Sequence, residues 1–476
     1  MKSSFLYLFI SLPVLLCGQN SFFKSYGGPG NDFGESVITS TDSCYVAIGA
    51  SESFGNGATD LYAFKVDTGG SYIWSKTFGG PNIDYGTDLV ELNDGSIILA
   101  GYSNSFSNGY DLFLVKIQEN GNHLWTKTIG GNDWDFCFAA HQTIHSTTGV
   151  VLAGETYSYG NGNGDAFLVK INTNGDTLWT KTFGGNENDR FNDVIEDENG
   201  NIICIGTTNS NTLYGDNDIW TVKTDSSGNL LWDYVHSDTL DDQGISICLS
   251  KNGYYIFNGN DEQTSRVAPY YACLDSLGNL VFEENFSGTL DDFSACVIRH
   301  SDSTTYTFVG NTYSFGANNA TSDVLYSQIY VTFTIGPLLG TSGTAYQEWV
   351  NGADTTADHS IIIVGTTDGT INGQNSVFLM KKDQNYNSPS YSEELDLSVH
   401  ELSSTKFSIY PNPTSGLITI LSNSSNVINV EVYDIFGALV LISNETNIDL
   451  GQLAAGTYHV KIFSESTTVT QKIIKH

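Results

Sequence analysis

Basic residues are in short supply in this 476-residue chain, with 19 lysines and arginines against 53 aspartates and glutamates. The resulting formal net charge of −34 disfavours nucleic acid and anionic membrane as partners. None of the seven cysteines forms a CxxC pair, so zinc and thiol-redox motifs have no support. Beyond the first twenty residues no stretch reaches the roughly 18 apolar residues that a spanning helix requires, which leaves no transmembrane segment after the amino terminus. G-x-S-x-G, H-E-x-x-H and the P-loop are missing too, and acidic residues are so numerous that no two stand out as a glycosidase pair. The sequence therefore assigns no catalytic residue.

Proline and methionine are also scarce, whereas glycine, at 49 residues, and aromatic side chains are plentiful. That composition favours many short strands joined by tight turns. The opening MKSSFLYLFISLPVLLCGQN has one lysine, an apolar run and then small residues, the pattern of a signal peptide over residues 1–18. Leu16 is bulky for the position before a lipidated cysteine, which speaks against an anchor at Cys17. Six cysteines remain, mostly inside apolar runs where a buried thiol acts as a small hydrophobe, although export permits disulfides.

The dominant feature is a repeat. WSKTFGG starts at Trp74, WTKTIGG at Trp125 and WTKTFGG at Trp179; FFKSYGG stands at Phe22, and worn copies follow near Trp232, Phe282 and Phe333. The period is about 50 residues. Each unit then runs through a half-apolar segment, an apolar strand such as IILAG or VVLAG, a glycine- and asparagine-rich loop ending in Asp, and a strand such as DLFLVKI. Turns such as NDG and ENG supply residues that tolerate positive φ at hairpin tips. Four antiparallel strands at this period predict a propeller. Because the chain begins with a tryptophan-type strand and the seventh unit ends without one, Phe22–Tyr26 is expected to complete the last blade and hide its edge. Nine lysines fall on two repeat positions: Lys24, Lys76, Lys127 and Lys181, and Lys65, Lys116, Lys170, Lys223 and Lys381. All nine are read as scaffold, with stems over apolar blade edges and heads in solvent.

The pattern W-x-K-T-x-G-G-x-x-x-D, followed by an apolar strand ending in Gly and a strand ending in Lys, resembles the SBBP repeats of secreted bacterial seven-bladed propellers. The resemblance covers about three quarters of the chain and implies a fold without a shared activity. From Lys406 onward, YPNPTSG (Tyr410 to Gly416), VYDIFGALV (Val432 to Val440) and LAAGTYHVKI (Leu453 to Ile462) stand in order before a basic ending, QKIIKH. Short alternating strands with Gly, Asn and Pro turns there predict a small β-sandwich. The segment is similar to the type A sorting domain of the type IX secretion system. That resemblance implies passage across the outer membrane, removal of this domain, and release or attachment at the cell surface, with the secretion machinery as partner.

The expected organisation is all-β: a signal peptide (1–18), a seven-bladed propeller of four-stranded antiparallel blades (19–386), a linker (387–404) and the sorting domain (405–476). The aspartates that follow the glycine pair, Asp32, Asp84, Asp135, Asp189, Asp242 and Asp292, are read as turn-fixing carboxylates rather than a site, because an active site needs only one arrangement. The loops ending at Asp60, Asp111 and Asp165 are glycine-aspartate rich, and calcium is the one cofactor they suggest, although they lack the tandem iteration that supplies six to eight oxygens. His141 and His145 lack a third ligand for zinc. Asp275-Ser276-Leu277 and Asp354-Thr355-Thr356 resemble the O-glycosylation sequence of bacteria using this secretion route. The residue that breaks the repeat on a blade-to-blade turn is Trp134, where other units have Asn31, Ile83, Asn188, Asp241 and Asp291. It is the candidate ligand-binding residue, either stacking on a sugar or protein partner or packing on a neighbouring loop. The expected role is a secreted or surface binding protein; a carbohydrate-active enzyme with its site at one mouth, or a structural surface protein, are the alternatives.

Overall fold

In the computed structural model the described residues are 21–476, apart from 147, 211, 287, 301–304, 317–320, 331–334, 370–372, 383–390, 394–406, 411–413, 415, 423–426, 435–438 and 465–467. The expected signal peptide, most of the linker and parts of the YPNPTSG and VYDIFGALV motifs lie outside them. The chain divides into two compact units, residues 1–396 and 397–476.

The first unit holds seven antiparallel sheets. Strand β1 (Phe22–Tyr26) is followed by β2 (Asp32–Thr39), β3 (Tyr45–Ser51), β4 (Asp60–Val66) and β5 (Tyr72–Phe78), and β2 to β5 pair in that order as blade 1. Blades 2 to 6 repeat the pattern over residues 84–129, 135–183, 189–236, 242–285 and 292–342. Blade 7 has three strands of its own, Glu348–Thr355, Ile361–Thr367 and Ser376–Lys382, and takes β1 as its fourth. Phe22 pairs with Lys381 and Tyr26 with Val377, which closes the ring as the repeat count requires.

Burial follows strand position. Third strands such as DLYAFKV are buried along their whole length, because both faces meet a neighbouring blade. Fourth strands such as HLWTKTI are exposed at the rim. First strands line a central channel enclosing about 260 Å³. Each first strand carries a β-bulge between its third and fifth residues, as at Gly34/Ser36 and Gly86/Asp88. Opposite the bulge, the backbone of the second strand lies so close that a Cβ on Gly49 would stand 1.9 Å from the Phe33 carbonyl oxygen. This contact explains why the apolar strands end in glycine.

The repeated tryptophan staples one blade to the next. Trp125 covers Gly175, and Trp232 covers Gly278, in the following blade's last hairpin; both glycines have positive φ, 77° and 86°. Trp74 Nε1 donates to the Glu119 carbonyl at 3.0 Å across the same kind of junction. The groove of about 700 Å³ beside Trp74, lined by Lys65, Asp94 and Leu124, is this junction at blades 1 and 2.

The lysines correct one expectation. The fourth-strand set behaves as foreseen: Lys127 reaches across to Asp176 at 2.7 Å with a third of its side chain exposed. The third-strand set is buried. Lys65 lies 2.7 Å from Asp42 and 3.1 Å from Glu119, Lys223 lies 3.0 Å from Asp197, and Lys381 lies 2.8 Å from Asp358. A third strand sandwiched between two blades takes most of the lysine out of water, and turn carboxylates at the blade edge neutralise the ammonium. Lys170 meets the Thr143 and Ser146 hydroxyls instead, and burial pushes it down to about 8.

Two further details refine the sequence reading. Within the expected linker, Tyr391–Glu393 adds a fifth, parallel strand beside β1, with the Tyr391 ring 5.0 Å from Phe23 and its hydroxyl 2.9 Å from Ser25 Oγ. All six cysteines of the propeller are free thiols, four of them buried.

The second unit contains sheets of three and four strands, the order expected of a small sandwich. Ile418, Ile420, Val430, Val432, Val460 and Ile462 fill its core. The basic ending is built in: Lys475 is buried, and its Nζ donates to the Leu453 carbonyl at 2.6 Å.

Candidate functional site

The repeated acidic residue at the start of the first strand is a structural carboxylate in six blades. Asp242 of blade 5 departs from the expectation, since it accepts from Glu262 N at 3.1 Å, leaves its other oxygen without a partner, and is pushed up to about 8 by burial. Asp135 accepts from Gly131 N at 2.7 Å, from Ser158 Oγ at 2.7 Å and from Thr156 Oγ1. Asp84 and Asp189 repeat this set with Gly80, Ser103 and Ser105, and with Gly185, Thr208 and Ser210. Asp32 and Asp292 follow suit, and Glu348 takes the place in blade 7. In the glycine-rich loops, Asp60 and Asp165 each accept two backbone N–H bonds from their own loop, at 2.9 to 3.1 Å. His141 is kept neutral, its ring pushed down to about 4 by burial. Among the described residues, no group of three or more His, Cys, Asp or Glu side chains is placed to hold a metal.

The channel carboxylates tie blades together. Asp88 accepts from Ser36 Oγ and from Ala140 N, both at 2.8 Å, so it joins blades 1, 2 and 3. Asp193 accepts from Ile247 N at 2.9 Å, and Asp354 from Thr39 N at 2.7 Å. Burial pushes these carboxyls up, Asp88 to about 6 and Asp193 to about 7; Glu35, which accepts from Tyr85 Oη at 2.6 Å, also reaches about 7.

These shifts set a pH dependence. An acid whose folded pKa is raised keeps its proton after the unfolded chain has released it, so the unfolded state binds fewer protons between pH 4 and 7. Stability then falls as pH rises through that window. Carboxylates held low by their partners, Asp197 by Asn201 and Lys223 and Asp358 by Lys381, lose their contribution only below their ordinary value near 3.8. We expect the propeller to melt several degrees higher at pH 5 than at pH 8, and Glu35→Gln with Asp193→Asn to flatten the difference. Differential scanning calorimetry across that range checks it, and a melting point rising toward pH 8 contradicts it.

The residue after the repeated carboxylate points to the channel mouth, where the fold concentrates aromatic rings. That position reads Phe33, Tyr85, Phe136, Arg190, Gln243, Phe293 and Trp349 around the seven blades, all half-buried. Five are aromatic, and adjacent rings approach each other: Phe33 and Tyr85 at 6.5 Å, Phe293 and Trp349 at 5.3 Å. Between blades 2 and 3 the array thickens. Tyr85 stacks on Tyr102 at 5.4 Å, Tyr102 meets Phe136 edge-on at 5.1 Å, and Phe136 stacks on Phe138 at 6.1 Å toward the channel.

Trp134 is the outer member of this array. It is 49% exposed and meets Tyr110, Phe136 and Tyr157 edge-on at 6.0 to 6.3 Å. The residue singled out in the sequence thus packs on neighbouring loops and also leaves half its surface open. The remaining rings have a sequence signal of their own in the column after the repeated aspartate, where the residue varies in type but stays aromatic in five blades.

The fold and the carboxy-terminal unit together define a secreted β-propeller with a sorting domain. Residues 408–476 match the secretion system C-terminal sorting domain, and residues 92–122 and 150–177 match a β-propeller domain of unknown function, DUF5122. The sorting domain directs the protein through the type IX machinery to the cell surface or the medium. The regulatory protein FlaEY of Caulobacter vibrioides is 26% identical over 178 residues, a match spanning 32% of this chain and only 18% of that protein. Among solved structures, Sqt1 of Chaetomium thermophilum aligns over 77% of this chain and 98% of its own at 10% identity and a TM-score of 0.44. A protein of unknown function from Dyadobacter fermentans aligns over 76% and 97% at 10% identity and a TM-score of 0.42.

Proposed function

We propose that the protein is an extracellular binding protein that holds a glycan across the aromatic channel mouth. The observation supporting this is the continuous array from Tyr85 through Tyr102, Phe136 and Trp134 to Tyr157, open to solvent at its outer end. Sugar rings present C–H faces that lie on aromatic planes, and one polar rim beside such a platform fixes orientation. No structural duty of the repeat requires these rings, since blades 4 and 5 manage with Arg190 and Gln243 at the same position.

A glycan array probed with the intact chain and with Trp134→Ala tests this reading. We expect a restricted set of oligosaccharides to bind, and Trp134→Ala to weaken them roughly tenfold, the loss of one good stacking contact. An array on which nothing binds favours the structural surface protein. The enzyme alternative has Glu35 in its favour, a mouth-side carboxyl held protonated near neutral pH as a general acid must be. Reducing ends released from a bound glycan, and their loss in Glu35→Gln, would replace the binding reading with that one.

A further inference from the structure

Where the aromatic ring of the mouth is interrupted, a polar cavity of about 290 Å³ opens across blades 3 to 5, walled by Glu155, Tyr157, Asn188, Arg190, Thr207 and Gln243. Its size suits one sugar unit rather than a long chain. Tyr157 belongs to both the cavity and the platform, its ring 6.2 Å from Trp134, so a glycan lying on the rings can drop one residue into the pocket.

Two polar groups of this cavity have no hydrogen bond among the described residues. The Thr207 hydroxyl is buried with no hydrogen bond, in a side chain only 6% exposed. Arg190 donates no hydrogen bond among the described residues, and its charge acts on Glu155 and Tyr157 beside it. The chain's two other arginines are both engaged by carbonyls: Arg299 donates to Leu249 at 3.1 Å, and Arg266 donates to Gly288. The neighbouring acids are already occupied. Asp189 is capped by Gly185, Thr208 and Ser210, and Glu155 is hydrogen-bonded to Tyr157. A guanidinium with five unspent donors beside an orphaned hydroxyl is suited to a planar carboxylate carried on a polyhydroxyl ring.

We propose that this cavity seats a uronic acid unit of the glycan, with its carboxylate bidentate on Arg190 and its hydroxyls on Thr207, Asn188 and Gln243. The proposal rests on the mouth being a glycan site and names the chemical class that it selects. The chain's −34 charge does not forbid this: repulsion from distant carboxylates is screened beyond about 10 Å, and of the two acids in the cavity wall Asp189 is held by Gly185, Thr208 and Ser210 while burial pushes the Glu155 carboxyl up, toward its neutral form.

The test uses uronic acid tetrasaccharides of gluco, galacto, manno and gulo configuration, each beside its carboxyl-reduced neutral counterpart. Calorimetric titrations compare the full chain, Arg190→Gln and Trp134→Ala. At least one acidic tetrasaccharide should bind roughly tenfold or more tightly than its neutral partner, the discrimination of one charge-assisted pair. Arg190→Gln should erase that preference, weakening the acidic form much more than the neutral one, and Trp134→Ala should weaken acidic and neutral forms alike while keeping the acidic preference. Equal binding of acid and neutral forms, or a preference that survives in Arg190→Gln, overturns the proposal and leaves the mouth reading standing. If no tetrasaccharide binds, the uronate proposal fails, and the mouth reading falls with it only if the array is also blank.

Discussion

A chain lacking residues 21–28 will lose the cooperative unfolding of the propeller, or melt more than about 10 °C lower, although the deletion touches only an amino-terminal segment. The reason lies in what β1 buries. Phe22, Phe23 and Tyr26 are 6%, 3% and 1% exposed, and they sit in two different packing clusters, one against blade 1 and one against blade 6. Truncating a buried phenylalanine alone costs about 3–5 kcal/mol. The deletion removes three such rings and leaves the Ser376–Lys382 strand with an open edge, a template for aggregation. Phe23→Ala, which keeps the strand, should show the smaller loss. Tyr391 packs on Phe23 from outside, so a chain ending at residue 386 should also melt below one ending at residue 396. Thermal unfolding followed by circular dichroism distinguishes these, and an unchanged transition for the deletion would contradict ring closure.

Truncation after Ser404 will leave the propeller trapped in the periplasm, with none on the cell surface or in the medium. Residues 408–476 match the sorting domain, so its loss is expected to act as a switch. A single substitution should reproduce the block. Val460 is fully buried and pairs with Val432 across the sheet, and an aspartate there would place an unpaired charge in the small core. Fractionation with an antibody to the propeller reads both variants. Normal delivery of either would show that the last 72 residues are not the address.

How much of this was legible follows from what a period reveals. Trp125, Lys127, Gly130 and Asp135 recur in register, so their scaffold role could be read before any coordinate, and the missing strand of the seventh unit announced ring closure. The burial of Lys65, Lys116, Lys170, Lys223 and Lys381 could not be read that way. A lysine at a strand end looks amphipathic in sequence, and only the flanking blades remove its water. Strand Tyr391–Glu393 escaped because three residues in a polar tract carry no periodicity. The aromatic mouth lay in plain view as a column of the repeat, yet its meaning depends on seven side chains converging on one axis. Arg190 and Gln243 illustrate the point: in sequence they are two departures from an aromatic column, and in the fold they are one wall of a single cavity.

The claim that the mouth is the ligand-holding surface is tested most directly by titrating the strongest glycan from the array into the intact chain and into the triple variant Tyr85→Ala, Trp134→Ala, Tyr157→Ala. Three lost contacts at about 0.5–1.5 kcal/mol each predict an affinity drop of roughly ten- to a thousandfold, measured at a temperature where the variant is still folded. Binding by the triple variant at the affinity of the intact chain would place the ligand elsewhere on the protein.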